Sequence, residues 1–237
     1  MPTSNPASLS EPTIRRAFRE FQLELSGEQV LKIQQYIRIL LAWNEKVNLT
    51  AIRDPLEMLY RHFCESIYAA AAVPVENGRL ADVGSGGGFP GLPLKIFLPS
   101  LQVFLIESNI KKATFLAEVI RELGLAGAQV LVRRYDELGE ELAPLDYVCS
   151  RALGEFQPFL AWAGSEGVAA GEVILWIGAR DLEEIQKIPG WAWREPISIP
   201  HSLRRLLLVG KRKVPGPEPL DSGEKSRSTG GRGELSR

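Results

Sequence analysis

The segment that governs the fold reads Asp82-Val83-Gly84-Ser85-Gly86-Gly87-Gly88-Phe89-Pro90-Gly91-Leu92-Pro93. The apolar residues 80–83 enter this turn as a short strand, and a helix is predicted to leave it over residues 91–97. Glycines at the end of a strand let the backbone approach a ligand without interference from side chains. The sequence therefore predicts a site for a nucleotide-derived cofactor at this turn.

From residue 79 onward, short apolar runs alternate with amphipathic segments. Strands are predicted at 79–83, 102–106, 128–132, 145–150, 172–177, 193–199 and 203–210, and helices at 91–97, 111–123, 155–169 and 181–187. This alternation predicts an α/β fold with a Rossmann-like, doubly wound and mostly parallel sheet. The last two strands have little between them and predict an antiparallel hairpin at one edge of the sheet.

Two helices are predicted before this alternation begins. The first starts near Ser26, where Ser26 and Gln29 have the spacing of a capping box. The second starts at Asp54 and Pro55, a cap followed by a proline in the first turn, and runs to about Ala72. Its predicted apolar face consists of Leu56, Leu59, Phe63 and Ile67, and its other face carries Met58, Arg61, His62 and Glu65.

These patterns divide the chain into four segments. Residues 1–12 are rich in proline, serine and asparagine and are predicted to be disordered, residues 13–74 form a helical lead, and residues 75–213 form the cofactor-binding domain. Residues 214–237 lack apolar periodicity and are rich in proline, glycine, serine and charge, which is typical of a disordered tail.

Composition narrows the class of protein. The 237 residues are 45% hydrophobic and 24% charged, as in soluble globular proteins, and the net charge of −1 neither requires nor excludes a nucleic acid partner. Cys64 and Cys149 are far apart and are expected to be reduced thiols in a cytoplasmic protein. With only two histidines, no metal site is expected. No membrane contact is expected either, because no apolar run reaches the length of a membrane span, and the N-terminus lacks the plan of a signal peptide.

Two cofactor motifs overlap in the glycine turn. Gly86, Gly88 and Gly91 fit the dinucleotide fingerprint G-x-G-x-x-G, whereas Asp82, Gly84, Gly86 and Gly88 fit the D-x-G-x-G-x-G pattern of S-adenosylmethionine (SAM)-dependent methyltransferases. Gly84 already ends the strand, so the dinucleotide motif begins two residues late and puts Asp82 near an anionic pyrophosphate. A carboxylate suits the ammonium group of SAM instead, and the register favours SAM.

Three further predicted strands end in residues suited to the same cofactor. Glu107 follows the second strand, where a carboxylate accepts hydrogen bonds from the ribose hydroxyls of either SAM or NAD. Tyr135 and Asp136 follow the third strand and suit the adenine ring and its exocyclic amine. Arg151 follows the fourth strand. Because the carboxyl ends of parallel strands meet at one edge of a sheet, we expect these residues to converge on the glycine turn.

With these residues assembled, the chain resembles the bacterial 16S ribosomal RNA guanine-7 methyltransferases, the RsmG (GidB) family. The similarity runs from about residue 23 to residue 213 and is most specific in the Gly-Phe-Pro-Gly-Leu-Pro segment at 88–93. It is carried by Trp43-Asn44, Asn48-Leu49-Thr50, Arg61-His62 with Ser66, 82–86, 89–93, Lys111-Lys112, Phe115-Leu116 and Ser150-Arg151-Ala152.

The resemblance implies a SAM-dependent transfer of a methyl group to N7 of a guanine in the 530-loop of 16S ribosomal RNA, position 527 in conventional ribosomal RNA numbering. The expected partner is this RNA, within the small subunit or an assembly intermediate, and the protein is expected to be a monomer. The cofactor would contact Asp82, Gly84, Ser85, Gly86, Phe89, Glu107, Tyr135, Asp136 and Arg151. The chain departs from the family at Glu65, where relatives usually carry Asp, and at Asp136, where many carry Glu.

N7 of guanine has a free lone pair and loses no proton on methylation, so the reaction needs no general base. In agreement, the chain lacks the Asp/Asn-Pro-Pro-aromatic motif of exocyclic amine methyltransferases after the fourth strand. No cysteine has the setting required for cytosine carbon methylation. Arg151 is the best candidate for a catalytic role, as a residue that positions the base or a phosphate. A salt bridge between Arg151 and a nearby acid is an equally good interpretation.

Basic residues near the site are the candidates for RNA contact: Arg61, His62, Lys111, Lys112, Arg133 and Arg134. For His62, a structural contact between the lead and the sheet is the preferred interpretation. Sequence-specific recognition of RNA favours loops, which agrees with a loop substrate. Three other functions stay open: a SAM-dependent methyltransferase of a protein or small molecule, a non-catalytic SAM- or RNA-binding module, and an NAD-dependent oxidoreductase.

Overall fold

A computed structural model describes residues 9–151 and 154–213 of the chain. Within these ranges, eight strands form one sheet in the order β3-β2-β1-β4-β5-β8-β6, with β7 paired to β8. The strands are β1 (Arg79–Val83), β2 (Gln102–Ile106), β3 (Ala128–Leu131), β4 (Tyr147–Arg151), β5 (Glu172–Gly178), β6 (Trp191–Trp193), β7 (Ile197–Ser198) and β8 (Arg205–Arg212).

The helices of the described part flank this sheet or precede it. They are α1 (Glu11–Arg19), α2 (Gly27–Asn44), α3 (Pro55–Met58), α4 (Glu65–Ala72), α5 (Gly91–Phe97), α6 (Ile110–Leu123), α7 (Phe156–Gly164) and α8 (Leu182–Gln186). A π-helical turn, Leu59–Cys64, joins α3 to α4, and short 3₁₀ turns lie at Tyr135–Glu137 and Ala179–Asp181. In the described ranges, no helix is long and apolar enough to cross a membrane.

Strand pairing confirms the predicted α/β fold. Strands β1 to β5 pair in parallel, and β8 is antiparallel to β5, β6 and β7. The hairpin differs from its prediction in one respect, because the strand predicted at 193–199 is divided into β6 and β7. Pro196 lies between the two and has no N–H to donate to a ladder, which accounts for the break.

Helix α1 corrects the prediction for the N-terminus. The segment 1–12 was expected to be disordered, with the first helix near Ser26, but α1 begins at Glu11. The Ser10 side chain accepts a hydrogen bond from the Thr13 backbone N–H, and Pro12 lies in the first turn, so the start signals were present and were misread as disorder. The remainder of that segment, 1–8, and the predicted tail 214–237 lie outside the described residues.

The helix predicted at 54–72 is present, but the π-helical turn inside it changes which residues face inward. A π turn holds more residues than an α turn, so it rotates the residues that follow it around the helix axis. Glu65 directly follows the π turn; it was predicted on the other face and is buried. Met58 and Leu56 precede the π turn and also differ from their prediction, since Met58 is buried and Leu56 is 38% exposed. Glu65 therefore faces the sheet, where its carboxylate contacts Arg151 and Arg205.

The core has two parts, one on each face of the sheet. Neighbouring residues of β1 point to opposite faces, and Leu80 belongs to one hydrophobic cluster while Ala81 belongs to the other. Buried side chains of α1, α2 and α4 share the Leu80 cluster with α5 and α6. The lead is thus packed on one face of the sheet, and it reaches the edge where the parallel strands end, called here the carboxyl edge.

Candidate functional site

Two glycines of the turn after β1 leave the backbone bare. Gly84 and Gly86 have φ angles of +70° and +55°, in the left-handed region that favours glycine. A Cβ atom added to Gly84 would meet nothing within 4 Å, and one added to Gly86 would meet only the Gly84 carbonyl oxygen at 3.7 Å. At these two positions, open space lies where a side chain would be, as a closely approaching ligand requires.

Two other glycines serve packing. A Cβ atom on Gly88 would overlap the Tyr36 hydroxyl, and one on Gly91 would lie 2.8 Å from the Asp82 carboxylate. In the dinucleotide register, Gly88 is the glycine that must admit the pyrophosphate, and Tyr36 fills that space. The geometry therefore supports the register through Gly84 and Gly86.

Asp82 lies behind the turn, its Oδ1 atom has no hydrogen-bond partner among the described residues, and its contact with the ammonium group of SAM stays a prediction. The side chain is fully buried, and its Oδ2 atom accepts a hydrogen bond of 2.9 Å from the Gly91 backbone N–H. Burial raises the pKa of Asp82 to about 7. Ser85 is also buried, and its hydroxyl donates to the Asp82 carbonyl oxygen at 2.8 Å. Through these two hydrogen bonds, the Asp82 and Ser85 side chains stabilise the turn from its buried side.

Glu107 lies where the sequence predicted it, at the end of β2 and beside the bare part of the turn. Its Oε2 atom accepts a hydrogen bond from the Gly86 backbone N–H at 2.9 Å, and Oε1 accepts one from the Asn109 backbone N–H at 2.8 Å. A carboxylate has further lone pairs, so it can accept ribose hydroxyls in the same position.

Tyr135 and Asp136 occupy the 3₁₀ turn after β3. The Tyr135 ring packs edge-on against Trp162 of α7, with centroids 5.2 Å apart. Arg134 donates two hydrogen bonds, of 3.0 and 2.9 Å, to the Asp136 carboxylate. The charge of Arg134 is thus already paired, which weakens its case as an RNA contact, and the adenine contacts of Tyr135 and Asp136 stay predictions.

A stack of three rings joins the lead to the turn. The Phe89 ring lies between His62, with centroids 4.5 Å apart and planes 15° apart, and Tyr36, at 5.6 Å and 9°. Tyr36 donates a hydrogen bond of 2.6 Å to the Gly87 carbonyl oxygen, and His62 Nε2 is 2.7 Å from the Thr50 hydroxyl. Burial, aided by the charges of Arg151 and Arg61, lowers the pKa of His62 to about 3. The stack agrees with the structural role that was the preferred interpretation of His62, and its RNA contact stays a prediction.

Three arginines surround the carboxylate of Glu65, and we call Arg61, Arg151, Arg205 and Glu65 the arginine cluster. Arg205 binds Glu65 with two hydrogen bonds, of 3.0 and 2.5 Å, and Arg151 with one of 3.2 Å. The Arg61 Nε atom is 3.3 Å from the same carboxylate. Arg151 therefore has both the predicted place at the end of β4 and the salt bridge that was its alternative interpretation.

Sequence reasoning missed Arg205. Strand β8 starts at this residue and runs antiparallel to β5, so Arg205 pairs with Gly178, where β5 ends. Only the pairing register brings it to the carboxyl edge, and the sequence carries no local signal of that register. Sequence reasoning also missed Tyr36, because its hydrogen-bond partner, the Gly87 carbonyl oxygen, is distant in the chain and only the fold brings the two together.

Of the remaining basic candidates, Arg133 follows β3 and lies 3.5 Å from the Glu141 carboxylate, and the other two lie at the start of α6. Lys111 and Lys112 follow Asn109, whose side chain accepts hydrogen bonds from both of their backbone N–H groups, and Lys111 is exposed. Neither lysine side chain forms a salt bridge with any residue that the structure describes.

Across the described ranges, no group of three or more His, Cys, Asp and Glu side chains is arranged to hold a metal ion.

Comparisons with known proteins agree on one family. A sequence profile described as rRNA small subunit methyltransferase G (GidB) matches residues 29–191. The chain is 42% identical over 195 residues to a ribosomal RNA small subunit methyltransferase G of Xylella fastidiosa, covering 80% of this chain and 91% of that protein. Over 213 residues it is 40% identical to the protein of the same name from Xanthomonas euvesicatoria, covering 87% and 99%.

Solved structures agree on the fold. The crystal structure of a SAM-dependent methyltransferase from Aquifex aeolicus matches with a TM-score of 0.56 at 15% identity, over 70% of this chain and 97% of that one. The crystal structure of MtNAS in complex with MTA and tNA matches with a TM-score of 0.52 at 16% identity, over 78% of this chain and 76% of that one. At these identities the likeness concerns the architecture alone.

Proposed function

The chain belongs to the rRNA small subunit methyltransferase G family, and from this premise we propose that it methylates N7 of a guanine in the 530-loop of 16S ribosomal RNA. That it is a SAM-dependent ribosomal RNA methyltransferase follows from the family. The position on the base and the loop are our proposal. Cytoplasmic action by a monomer, on the small subunit or an assembly intermediate, belongs to the same proposal.

The observation that carries the cofactor site is the open space at Gly84 and Gly86 next to a fixed Glu107. When bound, SAM supplies a methyl group on a sulfonium, open to attack from the opposite side. The bare backbone at the two glycines admits the cofactor, Glu107 accepts its ribose hydroxyls, and Tyr135 and Asp136 hold its adenine end. Phe89 supports the turn through its stack with Tyr36 and His62.

The described side chains suit an acceptor that needs no base. His62 is stacked and bonded to Thr50, and Asp82 is buried behind the turn, so neither is placed to remove a proton from a substrate. Attack by the N7 lone pair requires alignment and tolerance of a cationic product. Arg151, at the end of β4, is the residue we assign to positioning at the transfer site.

The test is to incubate the enzyme with methyl-labelled SAM and undermethylated small subunits, then to map the modified nucleotide by mass. We expect one N7-methylated guanine in the 530-loop. Label at another nucleotide would overturn the proposed position, and label in protein alone would support a protein methyltransferase instead. Calorimetric titration with SAM and with NAD distinguishes the methyltransferase from an NAD-dependent oxidoreductase, because the oxidoreductase would bind NAD.

A further inference from the structure

The arginine cluster lies at the same edge of the sheet as the cofactor turn. Arg151 pairs with Trp176 across β4 and β5, and Arg205 pairs with Gly178 across β5 and β8, so both arginines stand at the carboxyl edge. The Trp176 indole N–H donates a hydrogen bond of 2.8 Å to the Glu65 carbonyl oxygen, which fixes α4 there. The cluster is thus built by the sheet and the lead together.

Positive charge exceeds negative charge within the cluster. One carboxylate, 2% exposed, faces three guanidinium groups whose side chains are 37%, 15% and 27% exposed for Arg61, Arg151 and Arg205. Burial lowers the pKa of Arg151 to about 10; the charges of Arg61 and Arg205 add to this effect and Glu65 opposes it. Like charges that are partly hidden from water repel one another, and an anion bound among them would relieve that repulsion.

The neighbouring acids do not neutralise this excess. Glu57 lies 4.0 Å from Arg61 alone, and both side chains are open to screening by water. Glu20 is engaged by the Tyr60 hydroxyl and by His201, and Asp54 caps α3. Across the described residues, Arg151 and Arg205 form ion pairs only with Glu65.

Two N–H donors of the cluster form no hydrogen bond with any described residue, although one of them, Arg61 Nε, lies 3.3 Å from the Glu65 carboxylate. The Arg151 Nη1 and Arg61 Nε atoms are buried and have no hydrogen-bond partner among the described residues. Guanidinium groups bind oxyanions through two parallel N–H donors, and a phosphate accepts from several arginines at once. The chemistry of the cluster is therefore that of an oxyanion site.

We infer that the arginine cluster, to which Arg205 contributes, is a binding subsite for a phosphodiester of the RNA close to the target guanine. The inference rests on the proposed function. The other source of an oxyanion is the carboxylate of SAM, but SAM carries an ammonium and a sulfonium as well and is a net cation. Bound SAM would therefore leave the excess positive charge of the arginine cluster uncompensated. Methylation at N7 adds a further positive charge to the base, which a nearby phosphate offsets.

The test compares Arg205→Gln with Arg204→Gln, which removes the same charge from the neighbouring, exposed position. For Arg205→Gln we expect kcat/KM on undermethylated small subunits to fall about tenfold or more, because a charge-assisted contact is lost. The slope of log kcat/KM against log salt should become shallower by about one. SAM affinity by calorimetry should be unchanged. Arg204→Gln should stay within about threefold of the wild type.

Equal effects of the two variants on the RNA reaction would overturn the subsite, and a loss of SAM affinity in Arg205→Gln would reassign it to the cofactor carboxylate. If thermal melting shows that Arg205→Gln is poorly folded, the Arg205→Lys variant is used to test the subsite instead. Lys keeps the charge without the paired donors, so we expect the salt slope to be kept and kcat/KM to fall; unchanged kcat/KM would count against the inference. A wild-type enzyme that methylates no ribosomal RNA would instead refute the proposed function.

Discussion

The Glu107 carboxylate accepts a hydrogen bond of 2.9 Å from the Gly86 backbone N–H. The acid at the end of β2 and the glycine turn after β1 are therefore one unit before any ligand binds. A second hydrogen bond, from the Asn109 N–H, fixes the other carboxylate oxygen and ties the unit to the start of α6. Residues that a sequence motif treats separately are coupled in the folded protein.

We predict that Glu107→Gln raises the Kd for SAM about tenfold or more, because the ribose hydroxyls lose a charged acceptor worth about 1.5–3 kcal/mol. Calorimetric titration measures the change. Glu122→Gln, on the far end of α6, removes the same charge and should leave SAM affinity as it is. An unchanged Kd in a folded Glu107→Gln protein would remove Glu107 from the cofactor site.

We predict that Gly86→Asp abolishes SAM binding, since the new side chain would occupy the open space that the cofactor needs. Gly124→Asp is the matched control. Gly124 has a φ of +60° and nothing within 4 Å of an added Cβ, so the backbone strain is comparable, but it ends α6 away from the site. Both variants should lose similar stability in denaturant titrations, and only Gly86→Asp should lose the cofactor. Similar SAM affinities in the two variants would refute the proposed turn.

We predict that Tyr36→Phe destabilises the protein by about 1–2 kcal/mol, because the Gly87 carbonyl oxygen loses its buried donor. The Kd for SAM should rise at the same time, since the hydroxyl holds the turn that binds the cofactor. Tyr68→Phe serves as the control, because Tyr68 is also in the lead and packs edge-on against Phe21. Urea titration and calorimetry give the two quantities. A stability loss with unchanged SAM affinity would show that the lead supports the fold but not the site.

Asp82 gives a prediction for pH. A carboxyl group whose pKa is about 7 in the folded protein, against about 4 in the unfolded chain, holds its proton more tightly when folded. Its contribution to the free energy of unfolding is therefore largest at low pH and falls as the pH rises from about 4 to about 7. The stability of the wild type relative to Asp82→Asn should decrease over this range in urea titrations.

Comparison with Asp82→Asn isolates that effect. The pKa of His62 is lowered to about 3, so its own contribution to stability is lost as the pH falls below about 6.5, in the opposite direction. His62 is present in both proteins and cancels in the difference. A difference that stays flat between pH 4 and 8 would mean that Asp82 keeps its charge in the folded state.

The sequence was most informative where local rules act alone. Strands β1 and β2 and helix α5 have the predicted bounds, because each is an apolar or amphipathic run with a turn at its end. The burial of Asp82 was not predicted, and it arises because side chains alternate across a strand: two residues before the turn, Asp82 points into the face that α5 covers. Arg205 needed the register of β8 against β5, which depends on tertiary packing.

The ring stack of Tyr36, Phe89 and His62 also bears on where the protein could be divided. The boundary drawn at residues 74 and 75 separates a lead from a sheet in sequence, yet two of the three rings come from the lead and the third from the cofactor turn. A fragment that begins at β1 would leave Phe89 without either neighbour and the Gly87 carbonyl oxygen without its donor. We therefore expect that a fragment able to keep the glycine turn in place must include α2 and the π-helical turn.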